Sequence, residues 1–348
     1  MRYRSILYGL AFLLAGLLVS TPVHAQQGQD DLSDLGKALE TISSGYADSY
    51  VQPVTDAFGG GMNAGLFRTA DVGNSLIPGL PVDLYLGVSV SGTLTSSMET
   101  EFTPFDGGTE TFTVTRNGQS REFEAAYTGS GQVPTVLGET EPPGGNLVIR
   151  DKQTGDVVLS EKAPQGLLDT PIAPIVVPQL GIGSVAGTDL QVRYFPKTAL
   201  SGGGGSYGKV GLFGIAVRHD LDQWFPAPLP FNLAVQGAWN QFSLASEFDN
   251  TDSKEVLDAS GWALNLQASK GVPVVPLQFY GGVQYEKFNT DYNYTLQNVG
   301  DISLSQTAES SVRGLAGFTL TFAVVRFNVD YAITNGPNVV TTGLGVRL

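Results

Sequence analysis

The C-terminal third of the chain alternates apolar and polar residues with a period of two. In "VVPLQFYGGVQYE", Val275, Leu277, Phe279, Val283 and Tyr285 share one face. Gln278, Tyr280, Gly282, Gln284 and Glu286 share the other. "GWALNLQAS" sets Trp262, Leu264, Leu266 and Ala268 against Ala263, Asn265, Gln267 and Ser269. "VRFNVDYAI" sets Val325, Phe327, Val329, Tyr331 and Ile333 against Arg326, Asn328, Asp330 and Ala332. The pattern recurs in "PFNLAVQGAWN" and in "VDLYLGVSVSG". Successive strand side chains point to opposite faces, so this period predicts strands.

Soluble sandwiches alternate too, and three further features separate the cases. The alternating runs are longer than the five or six residues usual in soluble sheets. The polar face carries Asn, Gln, Asp and Arg at mid-strand, as suits a polar lumen. Aromatics (Tyr194, Trp239, Trp262, Phe322, Tyr331) fall near strand ends, where interfacial girdles sit. The reading is an all-β, antiparallel transmembrane β-barrel over residues 81–348. In "NGPNVVTTGLGVRL", Val340, Thr342, Leu344, Val346 and Leu348 share one face, which makes the last strand a lipid-facing closing strand. A barrel in lipid has to close, because an open edge leaves backbone groups unpaired.

Ten strands are expected, near 82–93, 172–183, 187–196, 207–219, 229–246, 257–270, 274–288, 310–322, 325–334 and 338–348. The strands at 172–183 and 207–219 alternate poorly. Segment 96–171 is an acidic extracellular insertion with strand-like pieces in "ETFTVTR" and "NLVIRDKQTGDVVLS". It leaves and returns at one end, so it adds only an even number of spanning strands, for a total of ten, twelve or fourteen. Closure pairs strand 82–93 with 338–348 and brings Asp83 to Arg347. Counting through the 335–338 turn sets Arg326 opposite Arg347, which predicts an ion cluster at the seam.

The start of the chain changes the compartment. "MRYR" is basic, Ile6 to Val19 is apolar, and Val23-His24-Ala25 is a small-x-small exit. Residues 1–25 read as a secretory signal, and the expected location is the cell outer membrane. Removing Arg2 and Arg4 with it takes the formal charge from −14 to −16. Such acidity argues against nucleic acid as a partner.

Residues 26–80 read as a helix and plug, or hatch, ahead of the barrel. Leu32, Leu35, Leu39 and Ile42 have helical spacing. The stretch after them breaks into glycines and small apolar residues. If small molecules pass, Phe58, Met62, Leu66 and Phe67 are the hatch residues expected to line the path. Expected partners are outer-membrane lipid or lipopolysaccharide, the barrel-assembly machinery through the last strand, and a small ligand.

Catalytic and cofactor chemistry finds little footing. The chain has no cysteine and, after the signal, one histidine, His219. His219 lies beside Asp220 and Asp222 without an identifiable serine nucleophile. "GGGGSYGKV" satisfies G-x-x-x-x-G-K, yet Val210 stands where Ser or Thr should hold Mg²⁺. "GIGSVAG" lacks a surrounding βαβ unit. Glu247, Asp249, Asp252, Glu255 and Asp258 show no fixed calcium-loop spacing. No enzyme activity, cofactor or metal is expected.

"GGGMNAGLFRTADVG", "PQLGIGSVAGTDLQVRYFPK" and "GIAVRHDLDQWFPAPLPFNLAVQGAW" resemble segments of an uncharacterised family of Gram-negative outer-membrane proteins. That family is similar in layout, at greater distance, to the long-chain fatty-acid transporters. The resemblance implies an N-terminal hatch, an antiparallel barrel and passage of small hydrophobic molecules. The alternative is a closed structural or adhesion barrel whose acidic loops bind partners. A lumen filled by side chains favours the second, and a continuous apolar cavity favours the first.

Overall fold

The computed structural model describes residues 46, 48–72, 82–116, 119–166, 171–202, 205–246, 254–296 and 300–348. The signal sequence and the expected helix at Leu32–Ile42 lie outside the described residues. Helix α1 covers residues 48–62. The strands are β1 Asp83–Leu94, β2 Glu101–Phe102, β3 Thr109–Arg116, β4 Gln119–Tyr127, β5 Val133–Pro134, β6 Asn146–Asp151, β7 Val157–Lys162, β8 Ile172–Val185, β9 Thr188–Gly202, β10 Gly205–Asp220, β11 Asn232–Ser246, β12 Lys254–Gly271, β13 Leu277–Leu296, β14 Gly300–Thr307, β15 Val312–Phe322, β16 Val325–Thr334 and β17 Val339–Arg347.

Ten of them form a closed antiparallel ring, in the order β1, β8, β9, β10, β11, β12, β13, β15, β16, β17 and back to β1. Each expected strand is present, and the total is ten rather than twelve or fourteen. The insertion adds no spanning strand. Its β3, β4, β6 and β7 pair among themselves, and β2 pairs with β5. The four-stranded sheet has its own small core of Phe112, Ala125 and Ile149. Strand β14 pairs with the upper part of β13 and extends that hairpin beyond the ring.

Burial runs opposite to that of a soluble protein. Leu86, Leu180, Ile215, Leu264, Val283, Ile333 and Leu344 point outward and are exposed. Gln191, Arg193, Gln236, Asn265, Gln284 and Asp330 point inward and are buried. Outward aromatics line up across adjacent strands. Tyr194 is paired with Phe213, and Trp239 with Trp262. Phe213 lies 6.2 Å from Trp239, and Trp262 lies 5.5 Å from Tyr285, centroid to centroid. This belt spans β9 to β13, as interfacial girdles do.

The two mouths differ. One end carries short turns at 186–187, 272–276 and 323–324, the longer 221–231 connection, the start of β1 and the end of β17. The other end carries the insertion and the extended hairpins. Outer-membrane barrels carry their longer loops at one mouth, and this ring shares that asymmetry.

Strand β8 explains its own poor alternation. It pairs with β1 from Ile172 to Gly183 but with β9 only between Gln179 and Val185. Among the described residues, 173–178 have no ladder to β9; they include Pro174 and Pro178, and Pro196 sits on the facing part of β9. The unbroken ladder to β1 puts both β8 prolines at non-hydrogen-bonded positions, so their nitrogens face β9 with nothing to donate. Among the described residues, the wall is unzipped there over its loop-rich half.

Candidate functional site

The plug is helical where its glycines suggested a break. Gly59, Gly60 and Gly61 lie within α1, pressed against the wall on three sides. A Cβ on them would come within 2.7 Å of Ala308, 3.2 Å of Thr93 and 2.6 Å of Ile175 respectively. Tertiary contact outweighs the low helix propensity of glycine, about 1 kcal/mol each. A side chain at Gly59 would collide with the Ala308 Cβ, whereas at Gly60 and Gly61 it would have to push aside the Thr93 and Ile175 side chains.

Chain direction inside the barrel follows from three contacts with β1. Thr93 Oγ1 donates to Ala57 O at 2.9 Å. Gly65 (φ +67°) lies against Ser89. The Arg68 guanidinium carbon sits 3.7 Å over the Tyr85 ring centroid. While β1 climbs from the short-turn mouth, the plug descends antiparallel to it from the loop-rich mouth.

A helix leaves its last four carbonyls without intrahelical partners. Here the wall supplies donors to those carbonyls and to the irregular chain below. Arg313 Nη2 reaches Gly60 O at 2.9 Å. Arg193 donates from Nη1 to Met62 O at 2.7 Å and from Nη2 to Ala64 O at 2.6 Å. Gln284 reaches Asn63 O at 3.1 Å, and Gln179 reaches Gly65 O at 2.9 Å. Lower down, Thr319 Oγ1 donates to Arg68 O at 2.7 Å, Arg218 donates to Thr69 O, and Ala70 N donates to Ser269 Oγ at 3.0 Å. Cations at a helix C-terminus are also favoured by its dipole.

The arginines are themselves held. Arg313 also donates to Glu286 Oε1 at 2.9 Å, in a pair about 1% exposed on both sides. Arg218 pairs with Asp189. Both of the Arg193 hydrogen bonds given above go to plug carbonyls, so removing the plug would leave this buried cation unsatisfied. None of these bolts was picked out from the sequence. The available signal was a charged residue on a lumen position after valine, in Val192-Arg193, Val217-Arg218 and Val312-Arg313. A charge there needs a partner inside.

The loop-rich half of the lumen is apolar. Tyr50, Val51, Val54, Phe58 and Met62 join wall residues Leu212, Phe242, Leu257 and Phe288 and insertion residues Phe102, Val133, Val136 and Leu137 in one core. The insertion is therefore a cap on the plug. Val136 N donates to Tyr50 O at 3.0 Å, and Tyr50 OH donates to Gln165 O at 2.7 Å. At this mouth Asp56 accepts from Glu309 N at 2.7 Å and from Gln52 at 3.0 Å. Burial pushes its carboxyl up to about 6, against the pull of those donors.

All four expected hatch residues lie inside, at successive depths. The Phe58 ring is 5.2 Å from that of Phe242, and Met62 is fully buried. Leu66 packs on Ala216, Ala238 and Ala263, and Phe67 stacks at 5.5 Å on Tyr280. Each of the four fills space against the wall.

At the seam, Arg347 Nε lies 2.6 Å from both Asp83 oxygens. Arg326 is displaced from the expected register, facing Gly345 rather than Arg347. The β16–β17 loop is wider than a tight turn, closed by Thr334 Oγ1 donating to Pro337 O at 2.9 Å, so pairing starts at Ala332 and Val339. A cleft at this mouth, lined by Arg68, Asp83, Asp189 and Arg218, holds roughly one water molecule. His219 is committed to its turn, with Nδ1 2.9 Å from Thr188 Oγ1 and Nε2 accepting from Trp224 at 3.1 Å. Glu247, Asp249 and Asp252 lie outside the described residues.

The class defined by this geometry is a ten-stranded antiparallel barrel with its own N-terminal helix in the lumen. The chain belongs, over residues 1–348, to a family of unknown function, DUF6588. No curated protein matches it. Solved structures similar to it include the beta domain of the Bordetella autotransporter BrkA, at 8% identity and TM-score 0.34, covering 77% of this chain and 99% of that one. The transport unit of the Escherichia coli autotransporter AIDA-I matches at 9% and 0.30, covering 88% and 97%. The Pseudomonas putida toluene transporter TodX matches at 9% and 0.25, covering 84% and 96%. At such scores the strand pairing of this chain itself carries the fold assignment.

Proposed function

We propose that this protein is an outer-membrane barrel that is closed at rest and presents its acidic cap to the cell's surroundings. One observation carries the reading. The lumen holds the chain's own segment 48–72, bolted by side chains from β1, β8, β9, β10, β12, β13 and β15 and roofed by the insertion. Support for the location comes from the exposed apolar exterior, the aromatic belt and the unequal mouths. On this reading the role is structural or adhesive.

A second reading keeps the expected passage of small hydrophobic molecules, in the manner of the fatty-acid transporter layout. It is favoured by the unzipped stretch of wall between β8 and β9. Behind that stretch lie Ile175, Val177 and Phe195, which belong to or pack against the apolar core around Met62. A molecule dissolved in lipid would reach this core sideways, without crossing the polar bolts.

Liposome reconstitution separates the two. Ion conductance and uptake of a labelled fatty acid are recorded on the same preparation. The closed structural reading expects neither signal. Fatty-acid uptake without conductance supports the lateral reading, and steady large conductance contradicts both.

A further inference from the structure

We infer that the 221–231 connection is a membrane foot, which seats Trp224 and Phe225 in the lipid headgroup layer at the short-turn mouth. This rests on the outer-membrane location proposed above.

The connection is held in shape by its own hydrogen bonds. Leu221 N donates to Leu233 O at 2.8 Å, and Leu233 N donates to Asp222 Oδ1 at 2.7 Å. Asp222 N donates to Asp220 Oδ1 at 2.8 Å. Beyond the short 3₁₀ turn at Asp222–Trp224, Pro226, Pro228 and Pro230 restrict the backbone. This frame turns its aromatics to the outside of the barrel. Phe213, Ile215 and Val217 are exposed on the outer face of β10, and His219 follows at the same two-residue spacing. Trp224 donates from Nε1 to His219 Nε2 at 3.1 Å, so its indole hangs at the foot of that outer column. It is 73% exposed, and Phe225 is 47% exposed.

The height fits an interface. His219 lies six positions after Phe213, which belongs to the aromatic belt. At about 3.3 Å per residue and a tilt of about 40°, this is roughly 15 Å of height, against an apolar band about 25 Å tall. Trp224 lies beyond His219 and falls toward the opposite edge of the band. Tryptophan is favoured there, because its ring is apolar and its N–H is polar.

The neighbouring turns continue the surface. Val274 and Val275 are exposed in the 272–276 turn, and Phe322, Val324 and Leu348 are exposed at and beside the 323–324 turn. Val274 also holds a φ of 70°, a left-handed conformation that disfavours a β-branched residue and suits Gly or Asn. Among residues 186–187, 221–231, 272–276 and 323–324, only Asp222 is charged, and its carboxylate is taken by Leu233 N. Turns built for water favour Gly, Asn, Asp and Ser. Here the apolar outer wall runs on into the turns, so the lipid that covers the wall is the occupant that covers them.

Tryptophan quenching on the full barrel in phosphatidylcholine vesicles reads this contact. The chain has three tryptophans. Trp239→Phe/Trp262→Phe leaves Trp224 as the reporter, and Trp224→Phe/Trp262→Phe leaves Trp239 in the belt. Heat-modifiable migration confirms that each variant has folded. Emission is compared in plain lipid, in lipid brominated near the headgroup, and in plain lipid with acrylamide in the water. Trp224 should lose most of its emission to the brominated lipid, as Trp239 does, and should be less open to acrylamide than free tryptophan. If the brominated lipid quenches Trp239 while only acrylamide quenches Trp224, the connection faces water. The inference is then overturned and the outer-membrane reading stands. If the brominated lipid quenches neither, both fall.

Discussion

The two halves of the lumen hold the same segment by different physics. Near the cap, Phe58 and Met62 fill an apolar core shared by plug, wall and insertion. Near the short turns, Gln179, Arg193 and Arg218 grip the plug by its backbone. The difference follows from chain geometry. Helix α1 satisfies its own backbone, so its sides can be greasy. Below residue 62 the chain is irregular, and each buried carbonyl needs a donor. The upper half should therefore respond to lost volume and the lower half to lost donors.

The largest expected effect is in the upper half. Phe58→Ala should destabilise the barrel by about 3–5 kcal/mol, the range for emptying a buried aromatic site. It would be measured as a lower temperature for loss of heat-modifiable migration. Arg193→Met removes two donors while keeping bulk. Each orphaned carbonyl costs about 1–3 kcal/mol, partly offset because a buried cation no longer needs solvating. The net loss should be about 2 kcal/mol, with faster proteolysis within 63–70 and little change in the cap. A loss confined to the cap would break the comparison.

Gly65→Ala comes next. Its left-handed φ of 67° disfavours a side chain by about 1–2 kcal/mol, and the new methyl would press on Ser89. A variant as stable as the parent in thermal unfolding would show that the plug does not hold this conformation.

The smallest effect is in pH. The carboxyl of Asp56 is raised by burial to about 6. The folded state thus binds the proton more tightly than the unfolded one, whose carboxyl titrates near 4. The contribution of Asp56 to stability is complete below about pH 4 and is lost as pH rises through about 6. Asp56→Asn should flatten stability between those limits, read as thermal unfolding across the pH series. An unchanged slope would mean that Asp56 is solvated.

The wall was legible in the chain and the contents of the lumen largely were not. Period-two alternation marked most of the spanning strands and was weak in β8 and β10; an outward face in lipid and an inward polar face impose it. The same alternation in "ETFTVTR" could not distinguish a spanning strand from the cap sheet that forms. Gly59 to Gly61 read as a break, since propensity favours that reading unless wall atoms crowd three sides. The pairing of Asp83 with Arg347 followed from closure. The place of Arg326 depended on loop width, which residue counting does not supply.

The most direct test of the bolted plug is a disulfide between helix and wall. A Cβ at Gly61 would lie 3.5 Å from that of Ile175 on β8, within the range that disulfides span. In this cysteine-free chain, the double variant Gly61→Cys/Ile175→Cys should cross-link on mild oxidation of the folded barrel and raise its unfolding temperature. The pair Gly61→Cys/Thr319→Cys, aimed at the far mouth, should stay reduced. Cross-linking of both pairs, or of neither, would contradict a plug fixed in the lumen.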